Sequence, residues 1–139
     1  MNMEKTNTNL TDMQAKEKKT ILVVDDSDMV CFLIESILEN YYNVVIKNDG
    51  SEALTYLNQG NRPNLILLDM MMPEMNGRTF VRRVYGDPRY GNIPIIFVTT
   101  VESAMLVNSF TNMGVVDYIV KPFENNDLLQ RVDNVLNKK

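Results

Sequence analysis

The chain is predicted to fold as an α/β domain: a doubly wound parallel sheet of five strands with helices on both faces. Three observations predict it. Short apolar runs recur at Ile21-Leu22-Val23-Val24, Val44-Val45-Ile46, Leu65 to Leu68, Ile93 to Val98 and Val116 to Val120. A run that is apolar at nearly every position suits a strand covered on both faces. Between these runs lie segments whose apolar residues recur with a helical period, and the junctions carry Gly, Pro, Asn or Asp. Strictly alternating strands and helices imply a parallel sheet with right-handed crossovers.

Each element follows from its residues. After the first strand, Ser27 or Asp28 can cap a helix, because a short polar side chain accepts from the free amides of the first turn. Val30, Leu33, Ile34, Ile37 and Leu38 then recur at i, i+3, i+4, i+7 and i+8, an amphipathic stripe. Asp49-Gly50-Ser51 opens the second helix, which turns Ala53, Leu54 and Leu57 inward, and Gly60 stops it. The third helix is expected from about Asn76 to Tyr85, with Phe80, Val81 and Val84 inside. A loop over Gly86 to Asn92 contains Pro88 and Gly91, and Pro94 falls near the start of the fourth strand. Val101 to Met113 is expected to be helical, ended by Gly114, and Glu124 to Asn137 forms the last helix on Leu128, Val132, Val135 and Leu136. Residues 1–19 are polar, with four lysines against three acids and no sustained apolar period, and are expected to form a flexible tail.

Composition narrows the chemistry. The 139 residues suit one domain, and 45% apolar with 23% charged residues excludes bulk disorder. The formal charge is −4, and the nearest basic run, Lys16-Glu17-Lys18-Lys19, is short and interrupted, which argues against direct nucleic-acid binding. No secretory h-region and no apolar stretch of about 20 residues occurs, so no membrane insertion is expected and the cytoplasm is the default location. The single cysteine, Cys31, excludes an internal disulfide and is expected to be a buried, inert thiol. There is no histidine. Ser-His-Asp catalysis, Cys-His catalysis, His-ligated zinc and a phosphohistidine carrier are therefore excluded.

Ligands of open α/β sheets sit at the carboxyl ends of the strands. Those ends read Asp25-Asp26 on strand one, Asp69 on strand three, Thr99-Thr100 on strand four and Lys121-Pro122 on strand five. Alone, Asp25 reads as a cap or loop acid and Lys121 as a solvated lysine; the set on four strand ends points to shared chemistry. Three carboxylates at one rim repel one another and call for a cation. Mg²⁺ suits one or two carboxylates plus phosphate and water. With the Lys121 ammonium and the Thr99 hydroxyl, the rim is suited to receiving a phosphoryl group on one carboxylate. Asp69, the single acid on the central strand, is the candidate nucleophile.

These residues resemble the CheY-like receiver domains of bacterial response regulators. Asp69-Met70-Met71-Met72-Pro73-Glu74-Met75-Asn76-Gly77 matches the family signature D-x-x-M-P-x-M-x-G, and Asp25-Asp26, Thr99 and Tyr118-Ile119-Val120-Lys121-Pro122-Phe123 match its other landmarks in order and spacing. The resemblance covers residues 20–139. It implies a flavodoxin-like (βα)5 fold with strand order 2-1-3-4-5, an order inherited here from the resemblance. It also implies a phosphorylation-dependent switch of a two-component or phosphorelay system. The phosphoryl group would come in trans from a sensor histidine kinase or a histidine phosphotransfer protein. Mg²⁺ would be held by Asp26, Asp69 and the backbone carbonyl of Met71, with Asp25 acting through a metal-bound water. Lys121 would contact a phosphoryl oxygen and precede a cis bond to Pro122. Thr99 and Tyr118 would be the switch residues, remodelling the surface of the fourth helix, fifth strand and last helix toward a downstream protein target. A phosphorylation-dependent dimer is a further route open to the signal. The chain ends just after the last helix, which favours a single-domain regulator over a piece of a longer protein.

Three departures tune these expectations. Thr100 stands where the family prefers Ala or Gly and would narrow access for small phosphodonors. Met71 and Val101 flank the path of the hydrolytic water and are both apolar, so self-dephosphorylation should be slow. Val115 replaces the usual Ala after Gly114. Met72 is expected to be a buried anchor, Met70 and Met71 are candidates for exposure toward the kinase, and at least one of Met105, Leu106 and Val107 should point outward. Two rival functions remain: a phosphate-independent pseudo-receiver that only binds proteins, and an aspartyl phosphatase of the haloacid-dehalogenase type. The latter rests on Asp26-Ser27-Asp28 after an apolar strand, but Met29 breaks its pattern and the Asp69 signature would go unexplained.

Overall fold

A computed structural model describes residues 18–100, 102 and 114–137. Five parallel strands form one sheet in the order β2-β1-β3-β4-β5. They are β1 (Thr20–Val24), β2 (Asn43–Lys47), β3 (Leu65–Leu68), β4 (Ile95–Thr99) and β5 (Asp117–Val120). The described helices are α1 (Asp28–Leu38), α2 (Gly50–Asn58), α3 (Gly77–Tyr85) and α4 (Asn125–Leu136). Apart from Glu102, the helix expected over Val101 to Met113, with Met105, Leu106 and Val107, lies outside the described residues, as does most of the expected N-terminal tail.

Alternation along the strands divides the core in two. Ile21 and Val23 of β1 face one way and pack with Leu65, Leu67, Ile96, Val98 and Ile119 against Cys31, Ile34 and Leu38 of α1 and Leu128 and Val132 of α4. Leu22 and Val24 face the other way, with Ile66, Leu68, Ile95 and Phe97, against Ala53 and Leu57 of α2 and Phe80, Val81 and Val84 of α3. β1, β3 and β4 are buried almost throughout because both faces are covered. β2 is an edge strand and is only half-buried.

Helix starts follow the cap chemistry. The Ser27 hydroxyl accepts from the Val30 amide at 3.3 Å, so Ser27 rather than Asp28 is the cap of α1. Asp49 accepts from the Glu52 amide at 2.8 Å, and Asn76 accepts from the Thr79 amide at 3.0 Å. Gly60 takes a positive φ of 97°, the left-handed conformation that stops α2.

Two boundaries and one buried face differ from the sequence reading. β4 begins at Ile95, after Pro94, which has no amide to donate; its carbonyl instead accepts from Ile66 at 3.0 Å. β5 begins at Asp117, leaving Val116 exposed. Leu33 is exposed although its spacing fits an apolar stripe: the buried row of α1 is Cys31, Ile34 and Leu38, and Leu33 lies about 100° around the helix from Ile34.

Candidate functional site

The strands in register bring their carboxyl ends to one level. Val24 pairs with Leu68 across β1 and β3, and Thr99 pairs with Val120 across β4 and β5. The next residues along the chain are Asp25, Asp69 and Lys121. Backbone bonds carry the ladder one step further: the Asp69 amide donates to the Val24 carbonyl at 2.9 Å, and the Lys121 amide donates to the Thr99 carbonyl at 2.6 Å. The Lys121–Pro122 peptide bond is cis, as the sequence reading expects.

Asp25 and Asp69 are buried, at 1% and 6% exposure, while Asp26 is exposed. Each of the three carboxylates offers an oxygen within 4.8 Å of the others. Lys121 Nζ donates to Asp25 Oδ2 at 3.0 Å and lies 3.6 Å from Asp69 Oδ1. Asp25 Oδ1 also accepts from the Ser27 amide at 2.9 Å, and Asp69 Oδ1 from the Met71 amide at 3.3 Å. Burial pushes the Asp69 carboxyl up to about 6; the Asp25 carboxylate adds to the rise, while Lys121 and the Met71 amide oppose it. Thr99 is fully buried, and its hydroxyl has no hydrogen-bond partner among the described residues. A buried hydroxyl without a partner is a standing cost that an incoming acceptor would relieve.

The donor set fits a hard divalent cation: three carboxylates, oxygen ligands only, one of them solvent-facing. The excess of negative charge over the single Lys121 ammonium is what such an ion would neutralise.

Position by position, the structure brings Asp25, Asp26, Asp69 and Lys121 together, with Thr99 ending the adjoining strand. Thr100 is exposed beside it and Tyr118 is exposed on β5. Val101 lies outside the described residues. Met71 is exposed and Met72 buried, as expected, but Met70 is buried rather than open to a kinase. It belongs to the core beneath α2 and α3, where a long flexible apolar side chain fills the space at the tip of β3. Gly77 explains the last position of the signature: a Cβ there would stand 2.8 Å from Phe97 Cε1 and 2.9 Å from Met70 Cα. Only glycine lets the start of α3 close on the loop after Asp69, where its amide donates to the Met70 carbonyl at 2.8 Å.

One group of contacts escaped the sequence reading. The Asp25 main-chain carbonyl accepts from Cys31 Sγ at 3.3 Å and from Asn48 Nδ2 at 3.2 Å. Asn48 follows β2, whose last residue, Lys47, pairs with Val24. The signal was available: the carboxyl end of strand two also borders this rim.

Comparison with known proteins agrees with the geometry. Residues 21–133 match the family model of the response regulator receiver domain. The chain is 36% identical over 118 residues to chemotaxis protein CheY1 of Helicobacter pylori, covering 84% of this chain and 95% of that one. It is 35% identical over 122 residues to hybrid signal transduction histidine kinase D of Dictyostelium discoideum, covering 88% of this chain and 8% of that protein. The chain spans only 8%, 13% and 9% of the length of three histidine kinases that it matches. Among solved structures, the chemotaxis response regulator CheY4 of Vibrio cholerae superposes with a TM-score of 0.78 at 32% identity, covering 86% of this chain and 99% of that chain. The manganese-bound form of response regulator Rcp1 gives 0.73 at 28% identity, covering 87% and 96%. Sheet order, the clustered acids at the strand tips and a family match across almost the whole described fold thus agree: the chain belongs to the response regulator receiver domain family of two-component signalling.

Proposed function

We propose that this receiver works as a phosphorylation switch, with Asp69 the acceptor. The observation that carries the proposal is the convergence on buried Asp69 of Asp25 and Asp26, with oxygens within 4.8 Å, and of Lys121 at 3.6 Å. A carboxylate oxygen of Asp69 attacks the phosphorus of a phosphohistidine on a partner. The new O–P bond forms as the P–N bond breaks, and the imidazole departs with the electron pair and takes up a proton. The donor is supplied in trans, because this chain has no histidine. The Lys121 ammonium pairs with a phosphoryl oxygen, and the unpartnered Thr99 hydroxyl donates to another. Asp25, Asp26, Asp69 and the Met71 carbonyl would hold Mg²⁺, which offsets the charge of the phosphoryl group when bound. The manganese in the Rcp1 neighbour supports a divalent ion here.

Histidine kinases among the relatives support a kinase or phosphotransfer protein as donor. The output is a population shift in which Thr99 engages the phosphoryl group and Tyr118 moves from its exposed position. Its readout is the face of β5, α4 and the predicted helix over 101–113, presented to a downstream protein. No helix among the described residues is long and apolar enough to cross a membrane, and we place the switch in the cytoplasm.

The test is direct. The chain is incubated with an acyl-phosphate donor, with Mg²⁺ or with a chelator, and the adduct is mapped by mass spectrometry. Mg²⁺-dependent modification at Asp69, lost in Asp69→Asn, is the expected result. No adduct, with the fold intact, favours the pseudo-receiver; an adduct on Asp26 favours the phosphatase reading.

A further inference from the structure

The acid pair is held from a strand that supplies no carboxylate to the rim. The Asp25 amide donates to the Lys47 carbonyl at 3.1 Å, so β1 and β2 stay joined one step beyond their ladder. The next residue, Asn48, then reaches back with its side-chain amide. Its two N–H groups serve the Asp25 main-chain carbonyl at 3.2 Å and Asp28 Oδ1 at 3.2 Å. Cys31 Sγ donates to the same carbonyl at 3.3 Å from inside the core. The carbonyl is therefore held from two sides, by a buried thiol and by an exposed amide.

That carbonyl belongs to the peptide joining Asp25 to Asp26. A peptide unit is planar, so fixing its oxygen fixes the amide of Asp26 and the direction in which its Cα leaves the strand. Asp26 is the most exposed of the three acids and no hydrogen bond of its carboxylate is seen among the described contacts. Its aim toward the other two depends on its backbone. The amide also ties Asp28, the first residue of α1, to the same point, so the turn between β1 and α1 is pinned at both ends.

We infer that Asn48 is a positioning residue for the divalent-ion site, acting through the Asp25–Asp26 peptide without touching the ion. This rests on the proposal that Asp25, Asp26 and Asp69 hold Mg²⁺. Partners that orient ligands from one shell out typically govern metal affinity by 10- to 100-fold. Asn48 is exposed, ends a strand and belongs to neither apolar cluster, so its loss removes no core side chain; its one touch on the core is Cys31 Sγ, 4.0 Å from Nδ2.

The experiment measures Mg²⁺ affinity of the full chain by calorimetry for the native sequence, Asn48→Ala, Asn48→Ser and Asp26→Asn, with thermal unfolding of each in chelator. Asn48→Ala should weaken Mg²⁺ binding about tenfold, and Asn48→Ser, which keeps a donor, should recover part of the loss. Unfolding temperatures without metal should stay close to native, and the phosphorylation rate of Asn48→Ala should be restored by raising Mg²⁺. Equal affinity of native and Asn48→Ala overturns the inference. So does a loss of affinity that tracks a drop in metal-free stability and is not recovered by serine, since that is a structural role only. If the native chain and Asp26→Asn alike fail to bind Mg²⁺, the ion site itself is wrong and the role of Asn48 falls with it.

Discussion

At Asp69, burial and the neighbouring Asp25 oppose ionisation, and the carboxyl titrates at about 6 instead of the usual 3.8. The folded chain thus holds that proton more tightly than the unfolded chain. The sign follows: this group's penalty is absent below the unfolded value, grows as pH rises toward the folded value, and is constant above it, reaching about 3 kcal/mol at most. Asp69→Asn should therefore stabilise the metal-free protein near pH 7.5 and lose most of that advantage near pH 4.5. Urea denaturation at the two values checks this; an equal gain at both would show that ionisation is not what strains the site. Met71 is exposed beside the acceptor and cannot orient water. Met71→Asn should shorten the lifetime of phosphorylated Asp69 roughly tenfold, about what one oriented hydrogen bond contributes to a transition state. Decay followed after removal of the donor reads this out, and an unchanged lifetime would remove Met71 from the hydrolytic path.

At the scale of elements, α3 is where sequence, packing and chemistry are most tightly joined. Asn76 caps it, and Gly77 allows it to close on the loop after Asp69. Asn76→Ala should cost about 1 kcal/mol, an ordinary cap loss. Gly77→Ala should cost about 1–3 kcal/mol, because the added methyl meets backbone at Met70 and the ring of Phe97, neither of which can give freely. Chemical denaturation separates them, and Gly77→Ala alone should also slow phosphorylation, since it displaces the loop that supplies the Met71 amide to Asp69. Much of this was legible beforehand: the helix starts near Asp49 and Asn76, the buried strands, and the rows Phe80, Val81, Val84 and Leu128, Val132. What was not legible was orientation around an axis. Spacing alone admitted Leu33 to the stripe of α1 and left Met70 a candidate for exposure, and both depend on which neighbouring element lies opposite.

For the whole molecule, the proposed ion site predicts that the fold's stability rises with a bound cation at the rim. Mg²⁺ at a hundredfold excess over its dissociation constant should raise stability by about 2.7 kcal/mol, and Asp26→Asn should abolish most of the rise. Thermal scans with Mg²⁺ and with chelator test this; an equal response in both proteins would move the ion elsewhere. The candidate site was readable because its residues end or closely follow strands in register, and sequence runs reveal strand ends. Asn48 was missed because strand two carries no acid and drew no attention, although its pairing with β1 sets it against Asp25. Sheet order was inherited from the family signature, since nothing local says which strand lies beside which. The division of β1 between two cores has a last consequence. Odd and even positions of Ile21 to Val24 serve opposite halves of the molecule. One residue inserted there would invert that parity and at the same stroke lift Asp25 and Asp26 off the level of Asp69. The parity that sorts apolar residues between two layers therefore also acts as the alignment gauge of the chemistry, so lengthening this strand should abolish folding and phosphorylation together, while lengthening the Gly86 to Asn92 loop should spare both.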